Sequence, residues 1–185
     1  SHQRWLTLLV ACMVTLAGIW PWPLRSEATW LGMFSDQCLY LWGWDLQARG
    51  ILAGEWPTWT NHIFYPFGID LVAHQNTGWV WGILAIPFLS HLVAYLTALE
   101  CLSIGGAVLT TTLFVRQVGG TPLVGMLVGT LYALGPVRDA VIRSHAQGAM
   151  AAALAPVALW AVVRLARAPG WRTAMGATLM LWLVM

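Results

Sequence analysis

Lysine is absent from this chain, and charge of either sign is scarce: only 9% of its 185 residues are charged. A soluble domain carries roughly 25%. All nine cations are Arg, and they form no basic run, which excludes an electrostatic nucleic-acid surface. The formal net charge of +2 says little else about partners. Cysteine is sparse too. There are three, Cys12, Cys38 and Cys101, with no CxxC pair, so neither a disulfide framework nor a zinc site is indicated. Cys12 and Cys101 lie in apolar stretches and read as small hydrophobes. What is abundant is apolar surface: 59% hydrophobic residues and a mean hydropathy of +0.70. The expected class is an all-α, multi-pass transmembrane helical bundle, the only open architecture that satisfies its own backbone in lipid.

A spanning helix needs about 20 apolar residues. Residues 5–22, 92–115, 122–134, 149–165 and 171–185 are read as transmembrane helices of one membrane domain covering 1–185. The run 78–89 is broken at Pro87 and too short to cross comfortably, so it reads as a juxtamembrane or re-entrant segment. The chain begins with Ser1 and stops inside an apolar run, Leu181-Trp182-Leu183-Val184-Met185. The expectation is a piece of a longer protein. The first apolar stretch ends in Trp20-Pro21-Trp22-Pro23 without a small-x-small cleavage site, which argues against a signal peptide.

Arginine placement sets the expected orientation. With Arg4 cytoplasmic and 78–89 not crossing, Arg116, Arg164, Arg167 and Arg172 are all cytoplasmic. The loop 23–76 and the segment 137–148 are then outside, with every acidic residue except Glu100. Glu100, within a membrane helix, has to face the bundle interior, protonated or paired. Gly125 and Gly129 form a GxxxG motif in an apolar helix, which permits close helix approach within the chain or, alternatively, a dimer face. The oligomeric state is not readable.

The loop 23–76 holds five of the seven acidic residues, two of the five His and five of the thirteen Trp. Such a segment is too long for a connector and too aromatic for a disordered one. Residues 36–53 have helical character. Asp36, Tyr40, Gly43 and Gln47 share one face, which is read as polar and open to a substrate. Asp45 lies about 180° from Asp36 and forms an i,i+4 pair with Arg49. Glu55-Trp56-Pro57 is expected to close this helix, and Phe64 to Gly68 reads as a turn.

The order of these pieces resembles the GT-C superfamily of polytopic glycosyltransferases, which take a sugar from a polyprenyl-phosphate carrier on the outer face of a membrane. The local match is to bacterial GT-C-like membrane proteins. These carry GD before an aromatic-rich helix, then FYPxGxDLxxH, then Pro-Tyr-Arg with a nearby H-x-Q or H-x-N. Here stand Ser35-Asp36, then Phe64-Tyr65-Pro66-Phe67-Gly68-Ile69-Asp70-Leu71-Val72-Ala73-His74, then Pro136-Val137-Arg138 and His145-Ala146-Gln147. Ser35 replaces the usual Gly and Val137 the usual Tyr.

The resemblance implies an inverting hexosyl or pentosyl transferase of a bacterial inner (plasma) membrane, its N-terminus cytoplasmic and its first loop extracytoplasmic. The partners implied are a lipid-linked sugar donor and membrane lipids, with the acceptor undefined. Asp36 is the candidate general base; its alternative role is a helix N-cap. Tyr40 is a substrate-binding candidate on the same face. Asp70 and His74, four apart, share a face if helical and contact the donor or a divalent cation; alternatively Asp70 only caps a helix. No other cofactor is implied. Arg138 and Arg143 suit a lipid phosphate, or serve as anchors. His145 and Gln147 assist them or are structural hydrogen-bonders. Two other function classes stay open: a transporter or flippase module for a lipid-linked sugar, and a non-catalytic membrane scaffold.

Overall fold

Glycine decides where the helices of this chain stop and how closely they approach. In the computed structural model, residues 2–19, 36–55, 59–60, 68–70, 78–135 and 146–184 are described, with residues 36–39, 69–70 and 146–147 placed by their backbone alone. The elements are α1 (His2–Ile19), α2 (Asp36–Leu52), β1 (Trp59–Thr60), β2 (Ile69–Asp70) and α3 (Gly78–Ala85). A 3-10 turn (Ile86–Phe88) follows, then α4 (Leu92–Gln117), α5 (Pro122–Leu134), α6 (Ala146–Arg167) and α7 (Trp171–Val184). Among the described residues the architecture is helical apart from one antiparallel pairing of two-residue strands, Trp59 with Asp70 and Thr60 with Ile69.

Both α2 and α4 end in the same device. At Gly54 φ is 78° and at Gly119 it is 98°, a left-handed backbone that glycine adopts without steric cost. The Glu55 N–H then reaches the Gly50 carbonyl at 2.8 Å and the Gly54 N–H reaches Ile51 at 3.0 Å. Gly120 and Gly119 bond Val115 and Arg116 in the same way, at 2.8 and 3.2 Å. These are Schellman closures that satisfy the last carbonyls. Glycine therefore stops α2 before the expected Glu55-Trp56-Pro57 signal acts. Helix α5 starts on Thr121, whose hydroxyl accepts from the Val124 N–H at 3.3 Å, with Pro122 following, where its missing N–H costs nothing.

Of the five segments read as spanning, two helices are long and apolar enough to cross a membrane: Leu92–Gln117 and Gly148–Arg167. The 26 residues of α4 extend about 39 Å. Helices α1, α5 and α7, with 18, 13 and 14 residues, are shorter. The 78–89 run is an eight-residue helix and a 3-10 turn with Pro87 in its first positions. That helix extends about 12 Å, well short of a roughly 30 Å hydrocarbon layer.

The chain divides into two units, Ser1–Gly32 with Ala98–Met185, and Met33–Thr97. In the first, α5 turns its two faces to different uses. Gly125 and Gly129 lie on the backbone of α4: a Cβ at Gly125 would stand 2.9 Å from the Thr112 Cα, and one at Gly129 2.8 Å from the Val108 oxygen. The GxxxG motif is thus spent within the chain. Leu123, Leu127 and Leu131 point away, 61–72% exposed. Helix α1 meets α4 through Gly105, where a Cβ would come 2.8 Å from the Thr15 hydroxyl. The core is correspondingly small-sided, with Ala11, Ala107, Ala133, Ala149 and Ala153 around Ile104 and Val108.

Helix α6 contains Pro156. Proline lacks an N–H, so the Ala152 carbonyl four residues earlier loses its helical donor. The Tyr132 hydroxyl of α5 donates to that carbonyl at 2.7 Å. Next to it, the Thr110 hydroxyl of α4 donates to the Ala153 carbonyl at 2.7 Å. Side chains of two neighbouring helices repair the break.

Two outcomes follow from this packing. Gly129→Ala should lower thermal stability by about 1–3 kcal/mol, because the obstacle is backbone. Gly176→Ala, whose Cβ meets nothing within 4 Å, should not destabilise; equal melting shifts for the two would contradict the packing. Tyr132→Phe should cost about 1 kcal/mol through the orphaned Ala152 carbonyl, measured by the same thermal unfolding in detergent, and an unchanged melting temperature would remove the repair role.

Candidate functional site

The second unit is built on an aromatic ladder rather than on aliphatic packing. Within α2, Tyr40 stacks on Trp44 with centroids 6.2 Å apart. Trp44 meets Tyr95 edge-on at 5.7 Å, and Tyr95 stacks on Phe88 at 5.4 Å. The Tyr95 hydroxyl donates to the Trp81 carbonyl at 2.9 Å, which ties the start of α4 to α3. Offset and edge contacts of this kind add to plain area burial. Gly82 makes room for α2: a Cβ there would lie 2.9 Å from both the Cβ and the Oε1 of Gln47.

Two polar atoms in this ladder are unsatisfied. Trp44 is fully buried and Gln47 is 4% exposed. Among the described residues, Trp44 Nε1 and Gln47 Oε1 have no hydrogen-bond partner. One is a donor and the other an acceptor, three residues apart on one helix face. Leaving such groups bare costs roughly 1–3 kcal/mol each. A hydroxyl, which both donates and accepts, is the simplest chemistry that satisfies a pair of this kind.

Sequence reasoning opens the Asp36, Tyr40, Gly43 and Gln47 face to a substrate. The structure corrects that for its second half. Gly43 and Gln47 are buried, and Tyr40 is half-buried. Gly82 lets α3 close in on Gln47 and the Trp44 carbonyl, so this is the packing face of α2.

Asp36 is the first residue of α2. Asp45 is engaged elsewhere: Arg49 Nε donates to its two carboxylate oxygens at 2.8 and 2.9 Å. The hydrogen bond first, and the charge of Asp45 second, hold the Arg49 pKa above its ordinary value. Asp70 stands in β2, opposite Trp59. Its backbone is therefore extended, and its relation to the residues that follow lies outside the described residues. His74, Arg138, Arg143 and His145 lie outside the described residues, and Gln147 is placed only as the second residue of α6. Among the described residues no group of three or more His, Cys, Asp or Glu is arranged to hold a metal ion.

Trp44, Trp81, Gly82, Phe88 and Tyr95 are absent from the sequence-based candidates. The available signal was the glycine pair, Gly43 between Trp42 and Trp44, and Gly82 after Trp81. Gln47→Met keeps the side-chain volume and removes an unpartnered oxygen. It should leave the stability of the ligand-free protein unchanged or raise it by up to about 1 kcal/mol, read as the thermal midpoint in detergent; a clear loss would mean that the oxygen is satisfied.

No family model, no curated protein and no solved structure matches the chain.

Proposed function

We propose that this chain belongs to a multi-pass glycosyltransferase of a bacterial plasma membrane, of the GT-C kind. It transfers a sugar from a polyprenyl-phosphate-type lipid to an acceptor at the outer face. Asp36 is the general base. The acceptor hydroxyl gives its proton to the Asp36 carboxylate as its oxygen bonds the anomeric carbon. The bond from that carbon to the donor phosphate oxygen breaks on the opposite side, and the phosphate leaves with the electron pair. The sugar is inverted. Arg138 and Arg143 are assigned to the donor phosphate, and Tyr40, Asp70, His74, His145 and Gln147 to the substrates.

The observation that carries this reading is the position of Asp36. It opens a helix whose following turns lead through Tyr40 to a buried, unpartnered donor and acceptor. A carboxylate at the open end and bare polar atoms further along suit a hydroxyl-rich ligand better than a purely structural helix. Apolar side chains 61–72% exposed along α5 support the membrane setting. One observation favours transport instead. Glu100 is 1% exposed within α4, and buried carboxyls in membrane helices mark ion or substrate paths.

The two readings separate by mutation in membranes carrying the full-length protein. Asp36→Asn keeps size and capping ability but cannot take a proton, so transfer should fall roughly 10²–10⁴-fold. Asp45→Asn, which loses only its pairing with Arg49, should retain most activity. Near-full transfer by Asp36→Asn, or equal damage from both, rejects the base. Loss of lipid-linked sugar movement in Glu100→Gln, with Asp36→Asn unaffected, would establish the transporter instead.

A further inference from the structure

Three arginines of the first unit gather where α6 ends and α7 begins. Arg164 and Arg167 close α6, and Arg172 is the second residue of α7. Their surroundings are not those of scattered anchors. Arg164 lines a cavity of about 230 Å³ together with Arg167, Trp160 and Gln117. On its other side it lines a groove of about 330 Å³ with Arg172 and Thr173. The Arg167 Nη1 donates to the Gln117 carbonyl at 3.1 Å. This brings the C-terminal ends of α4 and α6 to one level.

The groove changes character along its length. Its mouth carries Arg164, Arg172 and Thr173, and its depth is lined by Val157, Ala161, Gly176 and Met180. From Thr173 to Met180 is about 10 Å of helix. The guanidiniums lie over indoles, Arg164 at 5.5 Å from the Trp160 centroid and Arg172 at 5.3 Å from that of Trp171. No carboxylate answers them: among the described residues the one ion pair is Arg49 with Asp45. Two uncompensated cations at the mouth of an apolar slot match an amphiphile with an anionic head.

We propose that this groove holds one anionic phospholipid. Arg164 and Arg172 grip the headgroup phosphate, Thr173 flanks it, and one acyl chain lies in the slot between α6 and α7. The site is separate from Asp36 and needs only the membrane setting of the proposed function, not the glycosyl transfer. A free phosphate would use the arginines but leave the slot empty, so the slot is what selects a lipid.

The full chain, delipidated in detergent, is offered phosphatidylglycerol and phosphatidylcholine with matched chains, and retained lipid is read by native mass spectrometry. Phosphatidylglycerol should be retained roughly tenfold better. Arg164→Gln with Arg172→Gln should erase that preference, while Arg4→Gln should not. Gly176→Leu should abolish retention with both arginines in place, and since a Cβ there meets nothing within 4 Å its thermal midpoint, measured alongside, should match the parent's. Millimolar inorganic phosphate should not displace the lipid. Equal retention of the two lipids, unchanged retention in Gly176→Leu, or displacement by phosphate overturns the proposal. If the double arginine variant fails to fold, Gly176→Leu alone decides.

Discussion

The carbonyl that Pro156 strips of its helical donor is the constraint around which the first unit is arranged. A bare carbonyl away from water is costly, and the repair has to come from outside α6. It requires α5 close enough for Tyr132 to reach Ala152, and α4 close enough for Thr110 to reach Ala153. Only small side chains allow such approach. Gly125 and Gly129 lay α5 on α4, and Ala149 and Ala153 let α6 join them. Thr112 and Thr130 return their own hydroxyls to Val108 and Met126 on the same helices. These hydroxyls thus acquire their partners through tight contact, not through a larger core. Without an aqueous driving force between helices, this is how packing is held.

The second unit solves a different problem. Helix α3 has eight residues and cannot be stable alone. It is held by large rings and by one hydroxyl, Tyr95 to Trp81, at a place where Gly82 admits Gln47. Among the described residues the second unit leaves Trp44 Nε1 and Gln47 Oε1 bare, as the first leaves Thr111 Oγ1. Natural proteins tend to break such local rules at functional positions. A bare donor and a bare acceptor on one face of α2 are the structural reason to look for ligand chemistry there.

Much of this was legible in the sequence, for identifiable reasons. Periodicity and the prolines marked the helices: α2 was expected over 36–53 and runs Asp36–Leu52, and α5 occupies 122–134 in both. The spacing of Asp45 and Arg49 foretold their contact because i,i+4 neighbours meet on any helix. The use of Gly125 and Gly129 was readable only as a pair of options, since small residues serve inner and outer partners alike. What failed was the choice of face on α2. Polarity pointed Tyr40, Gly43 and Gln47 outward, whereas the absent side chain of Gly82 draws that face inward. A sequence states what a side chain is, and the space vacated by glycine on another element is a tertiary fact. Asp70 stands in a strand opposite Trp59, and its relation to His74 lies outside the described residues.

The two carboxylates of α2 show how one helix can hold acids of different use. Nine residues separate Asp36 from Asp45, which on a helix is two and a half turns and places them on opposite sides. Asp45 sits beside an arginine one turn later that takes up both its oxygens. Its partner is largely solvent-exposed, 64% by side chain. Its work is to keep the outer side of α2 in water. Asp36 has no residue one turn earlier within its own helix, because the helix begins there. It lies on the side that leads through Tyr40 to Trp44 and Gln47, where the unsatisfied polar atoms are. Position along the helix thus separates a carboxylate paired with an arginine one turn on from one that opens the helix, and no difference in residue type is needed.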